Sequence, residues 1–522
     1  MASQSPYLPE QVSANGHGPP GPWNGGDVRT LGLENLQGCR LLVVSNREPY
    51  VHRYSGSLIE CVQPTSGMAK ALDPIMRAAG GTWIAHGSGS ADRATVDRFD
   101  SVAVPPENPA YRLRRIWLTK QQEDAYYHGL ANEGLWPLCH VAFARPQFRP
   151  ADWHCYREVN EMFAQAVLEE AGPERTLVFI QDYHFALLPR LLKNRSPNLT
   201  VAYFWHIPWP NREVFRVFPW GDELLDGMLG SDLLGFHLRQ HCQNFLDTVD
   251  RSIESKVDQE RSEVTRGGKV TAVRDFPISI DFQQQASLAA GRTVAAEMDR
   301  WRLQLGLGED FIGLGLDRLD YTKGIPEKLR AVDCFLEQHP AYRGRFVFVQ
   351  VGVPSRSAIP RYQALAEEVD ALVEQINRRW ATRSWRPVVL IREHLGPVRM
   401  AALHRLAHFC FVGSLHDGMN LVAKEYVASR SDEDGVLVLS RFAGSALELG
   451  DAVLMNPYSL EEAAAAIHRA VEMPREERRR RMQRMRETVA RRNIYWWAGK
   501  VMRALTRIDA ASQMEQWEEA IA

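Results

Sequence analysis

Short apolar runs that stop abruptly at polar residues, with helical spacing between them, recur along this chain and limit its fold more than any other feature. In the first half they fall at residues 41–44, 177–180, 201–205 and 233–236. In the second half they fall at 311–316, 346–351, 388–391, 409–412, 436–439 and 453–455. Runs of this length suit strands buried on both faces, and the intervening helices make the rhythm of a parallel α/β sheet. The rhythm stops near Pro277-Ile278-Ser279-Ile280-Asp281 and restarts at Phe311. A chain of 522 residues is too long for one ordinary core, so two Rossmann-like units are expected. The expected boundaries are 37–280 and 281–490, with a helix over 491–522 crossing back to the first unit. Residues 1–36, rich in Pro, Gly, Ser and Asn, read as a disordered tail.

Strands of such sheets present ligand-binding residues at their C-terminal ends. Here those ends carry Asn46-Arg47-Glu48, Gln181-Asp182-Tyr183-His184, His206-Ile207-Pro208 and Asp317-Arg318. Gln121 to Leu130 reads as a polar-aromatic helix, and the stretch VGSLHDGMNLVAKEYV, 412–427, reads as strand end, tight loop and, after Gly418, helix. Free backbone amides and the helix dipole at such a start favour a bound phosphate. Asp417 and Glu425 beside them suit sugar hydroxyls, so the pattern fits a sugar nucleotide. Arg318 and Lys323 flank another strand–helix loop, where two cations would neutralise a leaving diphosphate.

The totals narrow the partners. A net charge of −2 gives no electrostatic case for nucleic acid or a membrane surface. No apolar run approaches the ~18 residues of a membrane span. Seven cysteines with no CxxC pair read as reduced thiols, which places the protein in the cytoplasm. The basic run RRRRMQRMRETVARR has Met482 and Met485 at helical spacing and reads as a half-buried helix. Asp432-Glu433-Asp434 fits a metal-binding DxD pattern but lies in a polar loop. HGSGSADR lacks the Lys-Ser/Thr of a phosphate loop, and no metal site is expected.

SNREPY (45–50), QDYHFALLP (181–189), WHIPWP (205–210), DRLDYTKGIPEKL (317–329), HDGMNLVAKEYV (416–427) and SRFAGSALEL (440–449) occur in one order. Together they closely resemble the trehalose-6-phosphate synthase family of retaining glycosyltransferases. The resemblance runs from about Leu41 to beyond Tyr495. It implies a GT-B fold, an acceptor unit followed by a nucleotide-sugar unit, and no cofactor or metal. The implied reaction moves glucose from UDP- or GDP-glucose to glucose 6-phosphate, giving α,α-trehalose 6-phosphate. The implied donor residues are Gly67, His206, Arg318, Lys323, Asp417, Gly418, Met419, Asn420, Leu421 and Glu425. The implied acceptor residues are Arg47, Tyr127, Trp136, Asp182 and Arg356, and the implied catalytic set is Asp182, Arg318, Lys323 and Asp417. The family dispenses with a carboxylate nucleophile and lets the leaving phosphate oxygen take the acceptor proton on the same face.

Ser66 stands where the family has a glycine, His86 where it has a tryptophan, and His416 where it has an arginine. REPY also resembles glucosylglycerol-phosphate synthases, which leaves glycerol 3-phosphate or a modified hexose phosphate as an alternative acceptor. A non-catalytic sugar-phosphate sensor is a remoter alternative. A separate phosphatase acting on the product is a further expectation, and a homo-oligomer is compatible with the sequence.

Overall fold

The computed structural model describes residues 22–28, 30, 39–63, 67–173, 175–306, 308 and 311–521, with side chains as far as residue 508. The first half holds β1 (Arg40–Arg47), β2 (Val51–Ser55), β3 (Leu58–Val62), β4 (Thr82–His86), β5 (Ser101–Val104) and β6 (Tyr111–Ile116). It continues with β7 (Thr176–Gln181), β8 (Thr200–Phe204), β9 (Leu233–Phe236), β10 (Lys256–Asp258), β11 (Glu263–Arg266) and β12 (Lys269–Asp275). Apart from the β2–β3 hairpin, these strands form one sheet in the order β10-β11-β12-β9-β8-β7-β1-β4-β6-β5. Its centre, from β12 to β6, is parallel. Only the outer pairs run antiparallel.

The second half holds β13 (Phe311–Arg318), β14 (Phe346–Val353), β15 (Val388–Ile391), β16 (Phe409–Val412), β17 (Val436–Ser440) and β18 (Val453–Met455). They form an all-parallel sheet in the order β15-β14-β13-β16-β17-β18. Every residue of β16 and β17 is buried, as expected of strands covered by helices on both faces.

Both sheets reverse their strand order next to their first strand. The reversal lies between β1 and β7 in one and between β13 and β16 in the other. The crevice at such a reversal is where open α/β sheets bind ligands. Arg47 ends β1 and Asp182 follows β7 at the first crevice, while Arg318 ends β13 and Asp417 lies in the loop after β16 at the second.

Pro277–Asp281 passes between the sheets without regular structure and is pinned on both sides. The Ile278 carbonyl accepts a 2.7 Å hydrogen bond from Lys424 Nζ, and the Ile280 carbonyl accepts one from the Ile494 amide. The helix Ile494–Ile521 lies on the first sheet, with Trp497 fully buried and donating to the Phe276 carbonyl at 3.0 Å. Burying a side chain of that size contributes about 2–3 kcal/mol.

Three sequence expectations need correction. Residues 22–28, read as part of a disordered tail, are placed against the C-terminal helix. The Trp23 ring fills the space beside Gly499 and under Arg503, and its carbonyl accepts from Asn493. An aromatic side chain had an apolar groove to fill, which composition alone does not reveal. The helix expected over 121–130 runs on to His140, with wide π-helical turns over Glu123–Leu135. Gly129 lies so close to the Asp152 carboxylate that no Cβ fits between them. The helix expected after Gly418 begins at Leu421, because Asn420 adopts a left-handed φ of 77° and caps it through Ala423 N.

The set-aside motifs are occupied by the protein itself. Asp432, Glu433 and Asp434 pair with Arg430, Arg479 and Arg478, and Met482 and Met485 of the basic helix are buried. The Asp92 carboxylate takes the amides of Gly89 and His52, and Glu48 takes that of Ser88, so the HGSGS turn has no free cradle there. Among the described residues no helix is long and apolar enough to cross a membrane, and no group of three His, Cys, Asp or Glu is placed to hold a metal.

Candidate active site

Most of the residues expected on the donor side lie on or beside the two loops at the second crevice. Lys323 Nζ and the Asp417 carboxylate form a direct ion pair, each about one-eighth exposed at 12% and 13%. Asp417 also accepts from Ser414 Oγ and Asn420 Nδ2, both at 3.2 Å. Burial alone would raise its pKa, but Lys323, with His140 and Asn420, holds the carboxyl well below the usual range. The backbone amides of Gly418, Met419 and Asn420 donate no hydrogen bond among the described residues. They form the row of free donors that the sequence pattern required.

Arg318, at the end of β13, makes no ion pair among the described residues and lies 5.6 Å from the centre of the Trp136 ring. Glu425 shares a small cavity with Gly67, Lys70 and Leu421. Burial raises its pKa, and the nearby Lys70 moderates the rise. Met419 differs from the other residues expected on the donor side, since its side chain is packed in the core of the first unit with Ala202 and Phe204. Only its backbone is available to a ligand. Ser66 lies outside the described residues.

The two units meet at Gly418. A Cβ there would sit 2.4 Å from the His206 carbonyl oxygen and 3.2 Å from the His237 ring. His206 follows β8, and its Nε2 lies 2.9 Å from Gln181 Oε1. Burial lowers its pKa to about 3, so the ring is neutral at physiological pH. His416 Nδ1 reaches the His140 carbonyl at 2.8 Å, a second bridge between the units.

The residues expected on the acceptor side gather at the first crevice. Asp182 has a left-handed φ of 75°, a strained conformation for a residue with a side chain. Its carboxylate accepts from the amides of Tyr183 at 3.0 Å and His206 at 3.2 Å. Burial pushes its pKa up to about 7 against those amides, Arg356 and Arg318. Arg47 Nη2 donates to Tyr127 OH at 2.8 Å. Burial alone would raise the phenol, but Arg47 and Arg356 bring it down to about 7.

Arg356 reaches this place from the loop after β14. Its guanidinium stacks 4.1 Å from the Trp136 ring centre and donates to Tyr183 OH at 3.4 Å. The structure therefore brings Arg47, Tyr127, Trp136, Asp182 and Arg356 together, with Arg318 beside Trp136 and Asp182. His86 lies in register with Arg47 on the neighbouring strand, its Nδ1 bonded to the Ile116 carbonyl.

Several neighbours were not singled out from sequence. Tyr183 and Asp320 hold Arg356, and His184 stacks on the Tyr127 ring at 5.7 Å. Tyr183, His184 and Asp320 belong to motifs quoted above. Their roles are tertiary and leave no periodic signal.

Two Rossmann-like units with cations, free amides and carboxylates converging from both crevices define a GT-B glycosyltransferase. The chain belongs to glycosyltransferase family 20, whose profile matches residues 39–507. It is 36% identical over 483 residues to the trehalose-6-phosphate synthase of Mycolicibacterium smegmatis, covering 91% of this chain and 94% of that one. It is 35% identical over 493 residues to the bifunctional trehalose-6-phosphate synthase/phosphatase of Thermoproteus tenax. That match covers 92% of this chain but 65% of the longer relative. The crystal structure of a UDP-forming α,α-trehalose-phosphate synthase from Burkholderia xenovorans, in complex with glucose 6-phosphate, superposes with a TM-score of 0.80. It has 30% identity and covers 89% of this chain and all of that one.

Proposed function

We propose that the protein transfers glucose from UDP-glucose to glucose 6-phosphate with retention, giving α,α-trehalose 6-phosphate and UDP. The observation that carries this reading is the meeting of Arg356 from the second unit with Trp136 and Tyr183 of the first, beside Arg47 and Tyr127. A phosphorylated sugar is the acceptor chemistry that two arginines and a tyrosine suit, since guanidinium groups bind phosphate with directional, charge-assisted hydrogen bonds. The names of the relatives above support the same substrates.

Arg318 and Lys323 bind the donor diphosphate, and the amides of Gly418, Met419 and Asn420 receive its phosphate and sugar oxygens. Glu425 takes the ribose hydroxyls, and neutral His206 lies beside the transferred glucose. Asp417 orients Lys323 and a sugar hydroxyl, while Asp182 positions the acceptor ring. As the glucose C1–O bond to the diphosphate breaks, negative charge grows on the leaving oxygen, and Arg318 and Lys323 stabilise it. The acceptor hydroxyl attacks C1 from that side and passes its proton to the leaving phosphate oxygen. No side chain needs to serve as nucleophile, and positioning supplies much of the rate.

The test is an assay of UDP release with glucose 6-phosphate, with the product identified by mass. Arg318→Ala and Lys323→Ala should each lower kcat/KM for UDP-glucose by about 10²-fold or more. Unchanged turnover in either variant overturns the mechanism. His86 beside Arg47 favours a second reading, transfer to glycerol 3-phosphate or a modified hexose phosphate. A panel of phosphorylated acceptors separates the two. The product remains a phosphate monoester, which a phosphatase would remove.

A further inference from the structure

Asp320 lies inside the donor loop, between Arg318 and Lys323, yet its carboxylate faces neither substrate directly. It is fully buried. One oxygen accepts from the Thr322 amide at 3.0 Å and from Thr322 Oγ at 2.9 Å. The other accepts from Arg356 Nη1 at 3.0 Å and from Tyr362 OH at 3.4 Å. Both oxygens are thus used within the second unit, one to shape the donor loop and one to hold the arginine that crosses to the acceptor side.

Arg356 needs such a hold. It sits at a left-handed φ of 49°, and its side chain is only 4% exposed. Tyr362 accepts from the same Nη1 at 2.6 Å, and Tyr183 of the first unit accepts from Nη2. Its Nε is buried with no hydrogen-bond partner among the described residues. A guanidinium clamped on one edge with an unmet donor on another is arranged to receive an anion. Arg318 and Lys323 are further cations beside Asp320, and Asp182 also lies near Arg356, but among the described residues Asp320 is the acid in direct ion-pair contact with its guanidinium.

We infer that Asp320 is a positioning residue that ties the donor diphosphate loop to the acceptor phosphate site by fixing the guanidinium of Arg356. This rests on the proposed acceptor being a sugar phosphate. Movement of the 317–324 loop on diphosphate binding then carries Arg356 with it, so donor and acceptor sites are set by one carboxylate.

The test compares the wild-type protein with Asp320→Asn, which keeps the shape but turns an N–H toward Arg356. UDP affinity and glucose 6-phosphate affinity with UDP bound are measured by calorimetry, alongside steady-state kinetics. UDP affinity should stay within about threefold, while KM for glucose 6-phosphate rises about tenfold or more and kcat falls less. In wild type, bound UDP should tighten glucose 6-phosphate binding, and the variant should lose that effect. Equal losses in both affinities, or an unchanged acceptor KM, would overturn the inference. Tyr362→Phe covers the case in which Asp320→Asn does not fold. It should raise the acceptor KM about two- to fivefold at unchanged UDP affinity, and no rise counts against the proposal. Failure of the wild-type protein to use glucose 6-phosphate would instead sink the acceptor reading, a separate result.

Discussion

Lys323 and Asp417 are joined in an ion pair that links the loop after β13 to the loop after β16. The pair spans the strand reversal of the second sheet, so each charge fixes the other at the point where the donor phosphates would lie.

Asp417→Asn leaves Lys323 mostly buried without its partner. Stability should fall by about 3 kcal/mol in denaturant titrations near pH 7. The carboxyl is held below its unfolded value, so its contribution is present above that value and is lost as pH falls toward the folded one. The gap between wild type and variant should therefore shrink below about pH 4. Turnover of UDP-glucose should drop by about 10²-fold or more.

Gly418→Ala tests how closely the units must approach. The added Cβ would press on the His206 carbonyl oxygen from 2.4 Å, and that oxygen belongs to the backbone and cannot swing aside as a side chain would, so the units must separate. Expected is a fall in kcat of about 10²-fold with an unfolding midpoint close to wild type. Small-angle scattering should show a more open molecule.

Asp182 ionises at a cost. Its folded pKa of about 7 lies above the unfolded value, so the stability it contributes is present in the protonated state and is lost as pH rises to 7. Asp182→Asn should gain on wild type by up to about 1 kcal/mol per pH unit between pH 4 and 7 and level off above. Urea titrations at three pH values would show this, while acceptor turnover collapses throughout.

Trp23→Ala should destabilise the C-terminal helix against the first unit. Removing the ring beside Gly499 costs about 2–3 kcal/mol. Faster proteolysis near residue 500 and a lower melting temperature would report it.

Much of this architecture is legible because buried parallel strands announce themselves locally. Phe346–Val353 and Val436–Ser440 are near-continuous apolar runs, and the residues after them follow at once in the chain. Arg318, Lys323, Asp417 and Glu425 are found by this route, since strand ends at one sheet edge meet by topology alone. The hairpin of β2 and β3 was not visible, because all its residues but Val51 and His52 face solvent and show no periodic contrast. The wide turns over Glu123–Leu135 were hidden for another reason. Gly129 within them lies against Asp152 of the helix Pro150–Ala171, a contact that no local spacing encodes.

The sequence by itself determined that there are two α/β units, which strand ends carry chemistry and which family the motifs resemble. Those properties follow from local pattern and from residue identity. Only the tertiary structure decided that Arg356 crosses to Trp136, that Asp320 holds it there, and that Gly418 touches the carbonyl of His206. These contacts join residues far apart in the chain through packing and burial. Charge on a buried guanidinium or carboxylate is set by such neighbours, and no spacing along the chain encodes them.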